Sequence, residues 1–453
     1  MASPYDVVVV GAGLGGLTVA ALLAARGVSV CVLERQSQVG GCIARVEFSG
    51  HEFEPGMGIY SSFGDDEIYQ RIFTELPVDI PETSLLTVPY VVRLADRTDV
   101  KIAGDESFFG ELSSVFRECA DAGVQFYRNP TPDAFARTST RFQSFIDTQL
   151  RGFLHSSVDQ CGYAAAATML QRIRGPLYEI RGGPARLAER LAESIKRSGG
   201  AVRLNTPVLR LAYDQSGQAA GVDLLSGETV VARKAIVSNL TIWDTYGKLV
   251  GLNRTPTEIK KLLNTLQGTG AYLVYATMED SAISRLPSTR LLAETRPVPD
   301  DDNSFTEFTL AIHGGTATLK SATDVNEWFT FHASEEDFEE SDQAALEHFW
   351  TKLHAALPEL GSGVEIIETA NPRTYYDQTR RKLGMIMGLP SGIQSGLSGL
   401  QSGLSSGRPT AQIPSPLTVI PNLFIAGDTV SHFPTLDTVV SAALSLADEI
   451  KKR

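Results

Sequence analysis

Short apolar runs at the start of the chain predict strands buried on both faces of a parallel sheet. Tyr5 to Val10 is rich in valine and shows no polar alternation, and Val28 to Leu33 is a second run of this kind that ends at Glu34. Between them, Leu14 to Arg26 is built of small and apolar residues and predicts a helix. Strand, glycine turn, helix and strand in this order predict a βαβ unit.

The pattern becomes clear again after Gly182. Leu187, Leu191 and Ile195 recur at helical spacing on one face, and the glycine pair at 199 and 200 ends that helix. Four strands are predicted to follow it, which makes a second α/β block: Ala201 to Leu204, Val208 to Tyr213, Ala219 to Leu225 and Thr229 to Ser238.

The remaining segments predict a separate sheet and a helical cap. Arg45 to Phe48 and His51 to Phe53 predict a hairpin, and Ile68 to Met169 has mixed helical periodicity, clearest at Phe108 to Ala122. Further along, three strands and one helix are predicted: Ala271 to Met278, Phe305 to His313, Trp328 to His332, and a capped helix from Ser334 to about Leu357.

Composition narrows the class of partner. The 453 residues carry 40 basic and 53 acidic side chains, a net charge of −13, which argues against nucleic acid as a partner. Four distant cysteines predict neither disulfides nor a metal site.

The uncharged run from Val7 to Ala25 contains four glycines and lacks a basic flank, so it predicts neither a membrane span nor a signal peptide. The sequence therefore predicts a cytoplasmic protein and leaves open contact with a membrane surface.

The glycine turn of the βαβ unit predicts a dinucleotide site. Gly11, Gly13 and Gly16 form GxGxxG between a strand and a helix, where they allow a tight turn, close approach to a pyrophosphate and close helix packing. Glu34 ends the next strand and supplies a carboxylate for two ribose hydroxyls, which disfavours a 2′-phosphate.

Residues further along favour FAD over NAD as the cofactor. Gly40 and Gly41 allow a second backbone approach to the same pyrophosphate, and the strand Asn422 to Ala426 ends in Gly427 and Asp428. Asp428 is suited to accept a hydrogen bond from a ribityl hydroxyl, and a helix beginning at Thr438 points its N-terminus at the flavin. The predicted cofactor-binding set is Gly11, Gly13, Gly15, Gly16, Glu34, Arg35, Gly40, Gly41, Val208, Gly427, Asp428, Thr438 and Val439.

Three separated blocks resemble the FAD-dependent amine oxidase and phytoene desaturase superfamily, within it the phytoene desaturase, carotenoid isomerase and retinol saturase branch. They are VVVVGAGLGGLTVAALLAARGVSVCVLERQSQVGG, then IRGGPARLAERLAESIKRSGGAVRLNTPVLRL with GVDLLSG and ARKAIVSN, and finally PNLFIAGD. The resemblance implies an α/β fold with a discontinuous Rossmann-type, glutathione reductase-like FAD-binding domain (1–65, 175–250 and 415–453). An inserted α+β substrate-binding domain with a helical cap (66–174 and 251–414) is implied with it. It also implies that Val208 contacts the adenine through its backbone.

The segment after the final flavin motif departs from that branch. Desaturase-like members carry glycines there, whereas TVSHFPTLDT (429–438) carries bulk and charge, which argues against a plain carotenoid substrate. Asp437 lies where the superfamily aims a helix N-terminus at the pyrimidine ring. Two roles are open for it: an N-cap accepting the amide of residue 439 or 440, or a carboxylate that acts on the substrate.

Two further segments have competing interpretations. Tyr375, Tyr376, Arg380 and Arg381 lie where similar proteins place a substrate-domain strand near the flavin, so they are either a packed strand or part of a catalytic set with Asp437. The repeat SGIQSGL–SGLQSGL at 391–404 is either a flexible loop or an apolar flap at a channel mouth or membrane face.

Three functions are consistent with these observations. The leading one is an FAD enzyme that desaturates, saturates or isomerises a carbon–carbon bond in an elongated apolar polyene or isoprenoid-like molecule. The second is oxidation of a carbon–nitrogen bond in an amine or amino-acid derivative. The third is a non-catalytic prenyl-binding chaperone of the same fold, which retention of both Glu34 and Asp428 disfavours.

Overall fold

The computed structural model describes residues 4–102, 114–116, 123, 125–126, 128–164, 166–168, 174–266, 268–295, 305–329, 335–389, 418–431 and 433–453. The predicted amphipathic stretch Phe108 to Ala122 lies mostly outside these residues, and the repeat at 391–404 lies entirely outside them.

The strands of the described chain form two large sheets, the hairpin of Val46–Phe48 with His51–Phe53 and the two-stranded sheet of Thr83–Leu85 with Tyr178–Ile180. They are β1 (Tyr5–Val10), β2 (Val30–Leu33), β3 (Val46–Phe48), β4 (His51–Phe53), β5 (Thr83–Leu85), β6 (Tyr90–Arg93), β7 (Asp99–Ile102), β8 (Tyr178–Ile180), β9 (Ala201–Arg203), β10 (Val208–Tyr213), β11 (Ala219–Leu224), β12 (Thr229–Ser238), β13 (Thr269–Met278), β14 (Arg290–Glu294), β15 (Glu307–His313), β16 (Thr316–Asp324), β17 (Val364–Ala370) and β18 (Leu423–Ile425).

The helices pack on the faces and edges of these sheets. They are α1 (Leu14–Ala25), α2 (Ile68–Phe73), α3 (Pro132–Ala136), α4 (Thr140–Leu154), α5 (Val158–Cys161), α6 (Ala185–Arg197), α7 (Ile242–Asp244), α8 (Thr257–Thr265), α9 (Asp280–Ile283), α10 (Glu335–Ala356), α11 (Pro372–Thr379) and α12 (Leu436–Lys452). A π-helical turn covers Thr245–Gly251, and short 3₁₀ turns cover Gly41–Ile43, Glu327–Phe329, Pro358–Leu360 and Lys382–Gly384.

The first sheet is built from three distant parts of the chain. Strands β9, β2, β1, β12 and β18 lie side by side and parallel, and β10 and β11 extend β12 as an antiparallel meander. Alternate residues of β1 face opposite cores: Val7 and Val9 pack with α1, α6 and α12, while Val8 and Val10 pack with Trp243 and its neighbours. Burial on both faces explains the unbroken apolar runs of the sequence.

The second sheet has the order β17-β13-β16-β15-β14-β6-β7. On one face, Phe349 and Leu353 of α10 pack against Tyr272 and Val274. On the other face, Phe145 of α4 belongs to the core that includes Tyr90 and Leu292. The remainder of that second face, around Leu273 and Tyr275, borders the cavity described below.

Several expectations about elements were wrong. Residues 68–169 are not only helical, because β6 and β7 join the second sheet through the parallel pairing of β6 with β14. Trp328 does not begin a strand: it lies in a 3₁₀ turn, and its indole donates to Thr323 Oγ1 at 3.1 Å. Strands β14, β16 and β17 and helix α8 were not predicted.

The long uncharged run at the N-terminus is divided between β1 and α1, as the glycines at 11 and 13 indicate. Among the helices that the structure describes, none combines the length and apolar character needed to cross a membrane.

Candidate active site

Two glycine turns from separate parts of the chain meet at the carboxyl end of β1. The amide of Gly40 donates to the carbonyl of Ala12 at 2.8 Å, and a Cβ at Gly41 would lie 3.4 Å from Gly13 Cα. Helix α1 begins after Gly13 with no side-chain cap and no acidic residue in its first turn. Backbone N–H groups therefore face this junction without a competing carboxylate in the helix, which suits a pyrophosphate.

The carboxylate of Glu34 lies beside this junction and is held by backbone. Its two oxygens accept from the amides of Ala12 at 2.7 Å and Gln36 at 2.8 Å. A carboxylate with both oxygens fixed by amides retains lone pairs for further donors, as a ribose would require. Val208, at the start of β10, lines the same cavity as Glu34.

Asn239 joins the N-terminal and C-terminal parts of the site and was not predicted from the sequence. Its side-chain Nδ2 donates to the carbonyl of Ala426 at 3.0 Å. A Cβ at Gly13 would lie 2.5 Å from Asn239 Oδ1, and one at Gly16 would lie 2.6 Å from the carbonyl of Gly11. Its position directly after the buried strand β12 could have indicated this role, because the carboxyl end of β12 is aligned with that of the parallel strand β1.

A cavity of about 930 Å³ extends from this junction to the open face of the second sheet. Its size and lining suit a dinucleotide together with a second molecule. Most of the predicted cofactor and catalytic residues line it: Gly11, Gly13, Gly15, Glu34, Arg35, Gly40, Gly41, Val208, Tyr375, Arg380, Arg381, Gly427, Asp428, Asp437 and Val439.

Three predicted residues are not part of the cavity lining. Gly16 packs against Gly11 and Asn239, and the Thr438 hydroxyl donates to the carbonyl of Thr435 at 2.8 Å. Tyr376 of α11 is half-buried, and its ring contacts Phe329 and the cationic groups of Lys248 and Arg380. The roles predicted for the individual site residues stay predictions.

Arg381 forms an ion pair with Asp428 on the wall of the cavity. Arg381 Nη2 lies 2.7 Å from Asp428 Oδ2, and Arg381 Nε donates to the carbonyl of Met385 at 2.8 Å. Burial lowers the pKa of Arg381, but the Asp428 carboxylate, with Cys42 and Tyr375 nearby, outweighs that effect and leaves the pKa above its usual range. The predicted ribityl acceptor is thus held by a permanent cation.

Asp437 is not the N-cap of α12. The helix begins at Leu436 with Thr435 as its N-cap, so Asp437 lies inside the first turn. Its side chain is buried, lines the cavity, and accepts from Ser62 Oγ at 3.3 Å. The helix N-terminus favours a carboxylate at this position. A buried acid that faces the cavity is placed to act on a bound molecule.

The segment with Tyr375, Tyr376 and Arg380 is a helix, not the expected strand. Asn371 caps α11 by accepting from the amide of Thr374 at 3.0 Å, and Pro372 occupies the first helical position. Arg380 ends the helix in a left-handed conformation with φ of 57° and pairs with Asp377 at 2.8 Å. Tyr375 turns inward instead, and burial, followed by the effect of Cys42, raises its pKa well above its usual range.

The cavity end at the second sheet is mostly apolar. Phe153, Leu177, Leu273 and Tyr275 line it, and Lys320 of β16 enters it beside Leu273, its direct partner across the strands. Lys320 was not singled out from the sequence, because β16 itself was not predicted.

Two family models match the chain. An NAD(P)-binding Rossmann-like domain covers residues 9–76, and a flavin containing amine oxidoreductase model covers residues 139–451. The chain belongs to the flavin containing amine oxidoreductase family. It is an enzyme of that family with FAD as its cofactor, as the sequence motifs predict.

The curated relatives lie in the branch that the motifs indicate. Prolycopene isomerase of Daucus carota is 22% identical over 95% of this chain and 77% of its own length. Human all-trans-retinol 13,14-reductase is 25% identical over 63% of this chain, and a 4,4'-diapophytoene desaturase of Methylomonas sp is 24% identical over 52%. The chain spans only about half the length of these last two relatives, 55% and 54%.

Solved structures share the fold over the whole chain. An oxidoreductase from Methanosarcina mazei has a TM-score of 0.69 at 18% identity, covering 98% of this chain and 99% of its own. A putrescine oxidase bound to putrescine has a TM-score of 0.62 at 17% identity, covering 100% of both chains. These likenesses confirm the predicted fold class, an α/β fold with a Rossmann-type domain.

Proposed function

We propose that this enzyme desaturates, saturates or isomerises a carbon–carbon bond in an elongated apolar polyene or isoprenoid-like molecule. The observation that carries the proposal is the single cavity that joins the dinucleotide junction to an end lined by Phe153, Leu177, Leu273 and Tyr275. A long hydrocarbon placed there would be removed from water along its length. The names of the relatives, which concern prolycopene, retinol and diapophytoene, support the same class of substrate.

FAD, when bound, supplies hydride transfer at the flavin ring. The chain contributes binding, orientation and exclusion of water. The glycine turns and Glu34 would hold the adenosine and pyrophosphate part, and Asp428, paired with Arg381, would accept from the ribityl part. Asp437, buried at the start of α12, is the residue we assign to proton transfer with the substrate.

The test uses flavin-loaded enzyme under anaerobic conditions, with phytoene, prolycopene, all-trans-retinol and putrescine as separate substrates. The flavin spectrum and the products are followed with both oxidised and reduced enzyme. Conversion of a polyene without conversion of putrescine is expected. Conversion of putrescine alone would replace the proposal with carbon–nitrogen oxidation, a reaction that the cationic Lys320 in the substrate end disfavours.

The role of Asp437 is tested with Asp437→Asn and with Asp133→Asn as its matched control. Asp133 occupies the same position in the first turn of α3 and is exposed, away from the cavity. A general base contributes about 100-fold or more, so Asp437→Asn should slow conversion by at least that factor with normal flavin content. Equal rates in both variants would remove Asp437 from the chemistry.

A further inference from the structure

Lys320 places a positive charge in the apolar end of the cavity. It lies on β16 between β13 and β15, opposite Leu273 and Thr309, and its side chain lines the cavity. Phe153, Leu177 and Tyr275 also line the cavity and carry no negative charge. A cation among hydrocarbon walls needs a polar partner, because an unpaired charge away from water is costly.

The protein supplies Lys320 with an acceptor but not with an ion pair. Lys320 Nζ lies 3.2 Å from Nε2 of His155, the residue that ends α4 in a left-handed conformation. Burial, and after it the charge of Lys320, holds the pKa of His155 well below its usual range, so this imidazole is neutral and accepts from the ammonium. Across the described part of the chain, Lys320 has no salt bridge within 4.0 Å.

Glu307 on β15 acts on Lys320 electrostatically, but the two side chains form no salt bridge. Glu307 Oε1 accepts from the amide of Ala322 at 3.4 Å, and its Oε2 accepts from Thr306 Oγ1 at 2.5 Å. Three other cations around the cavity, Arg381, Arg380 and Lys248, each pair with an aspartate within 2.8 Å, whereas Arg35 donates to the carbonyl of Gln378. Lys320 therefore has donor capacity directed at whatever occupies the cavity.

We propose that Lys320 binds a carboxylate at the end of the substrate's apolar chain. This inference rests on the proposed function and narrows it: the substrate is an elongated unsaturated acid rather than a plain hydrocarbon or an amine. The carboxylate of such a substrate would form an ion pair with Lys320 and accept charge-assisted hydrogen bonds from its ammonium. The apolar residues around Lys320 would contact the adjoining hydrocarbon.

The test compares two ligands that share one polyene and differ at its end, all-trans-retinoate and all-trans-retinol. Binding is measured at equilibrium on flavin-loaded enzyme from the change in ligand or flavin absorbance, without turnover. Wild type should bind retinoate at least about tenfold more tightly than retinol. Lys320→Met should lose at least about tenfold for retinoate and change less than about threefold for retinol.

Two variants control the experiment. Lys320→Arg keeps the charge and should keep the preference for retinoate, while Lys234→Met removes an exposed lysine of β12 and should change neither affinity. Wild type that binds retinol as tightly as retinoate would overturn the carboxylate anchor alone. Wild type with a normal flavin spectrum that binds neither ligand would contradict the proposed function, and this inference with it.

Discussion

Glu34 has a structural role in the turn and a predicted role in binding the FAD ribose, and a substitution can tell the two apart. Its carboxylate accepts from two backbone amides, so it both shapes the turn and faces the cavity. Glu34→Ala removes the predicted ribose acceptor, and charge-assisted hydrogen bonds of about 1.5 to 3 kcal/mol correspond to at least a tenfold loss of FAD affinity. Titration of the apoprotein with FAD measures this affinity.

The control for that prediction is Glu193→Ala, which removes a partly exposed glutamate of α6 that pairs with Arg190 and Arg197 and does not line the cavity. Its FAD affinity should equal that of wild type. Wild-type affinity in Glu34→Ala as well would show that Glu34 serves the turn and not the cofactor.

The ionisation of Lys320 predicts how ligand binding depends on pH. Burial lowers the pKa of Lys320 to about 8, against the opposing effect of Glu307 on β15. His155 on α4, the other titratable group in contact with it, stays neutral because its pKa is well below its usual range. Lys320 is therefore charged below about pH 8 and neutral above it, so affinity for retinoate should be constant near pH 7 and fall above pH 8.

The matched measurement uses Lys320→Arg and the neutral ligand retinol. Arginine stays protonated up to about pH 12, so retinoate affinity in that variant should be flat through pH 10. Retinol affinity in wild type should be flat over the same range. A wild-type retinoate profile without a decline above pH 8 would contradict the assignment of the charge to Lys320.

At the level of elements, the sequence predicts strands that carry an apolar run or a β-rich composition and misses those that depend on partners. β1, β10 and β12 are predicted at their observed bounds, although only β1 and the end of β12 are buried on both faces, whereas β10 is only partly buried. β16 carries Lys320 and alternates irregularly, since one face packs on α10 and the other borders the cavity. Such a strand is defined by its pairing with β13 and β15, which local sequence does not contain.

The sequence at the start of α11 contains residues that predict a helix, although a strand was expected there. Asn371, Pro372 and Thr374 form an N-cap, a first-turn proline and a capping box, which together predict a helix start. The resemblance to related proteins instead suggested a strand near the flavin. The physical signal in the chain was the better guide to this element.

The cap of α11 gives a prediction about stability. Asn371→Ala removes the acceptor for the Thr374 amide and the donor to Asp342 Oδ1, which lies at 2.8 Å. Loss of a helix cap costs about 1 kcal/mol, so the urea midpoint of unfolding should shift to lower concentration by an amount corresponding to about that free energy. Asn371→Ser retains an acceptor and should lie between Asn371→Ala and wild type. Equal midpoints for all three proteins would show that the cap does not stabilise the fold.

On the scale of the whole molecule, the cofactor site is assembled from segments hundreds of residues apart. The sequence predicts the two ends of this assembly, because Gly11 to Gly16 and Gly427 to Asp428 carry recognisable backbone requirements. It does not predict the segments that join them. Asn239 and Arg381 reach the site only because β12 lies between β1 and β18 and because α11 ends beside Asp428.

Gly388 offers a test of that assembly, since it brings the segment after α11 against the C-terminal flavin motif. A Cβ at Gly388 would lie 2.0 Å from the carbonyl oxygen of Asp428 and 2.5 Å from its carbonyl carbon. Gly388→Ala must therefore displace residues 427–428 or the segment that contacts them. Because ligand binding to the folded state stabilises it in proportion to affinity, FAD should raise the melting temperature of this variant less than that of wild type. Gly247→Ala is the control, as its Cβ would meet no atom within 4 Å, and it should show the full increase. An equal increase in all three proteins would mean that the contact between Gly388 and Asp428 does not shape the FAD site.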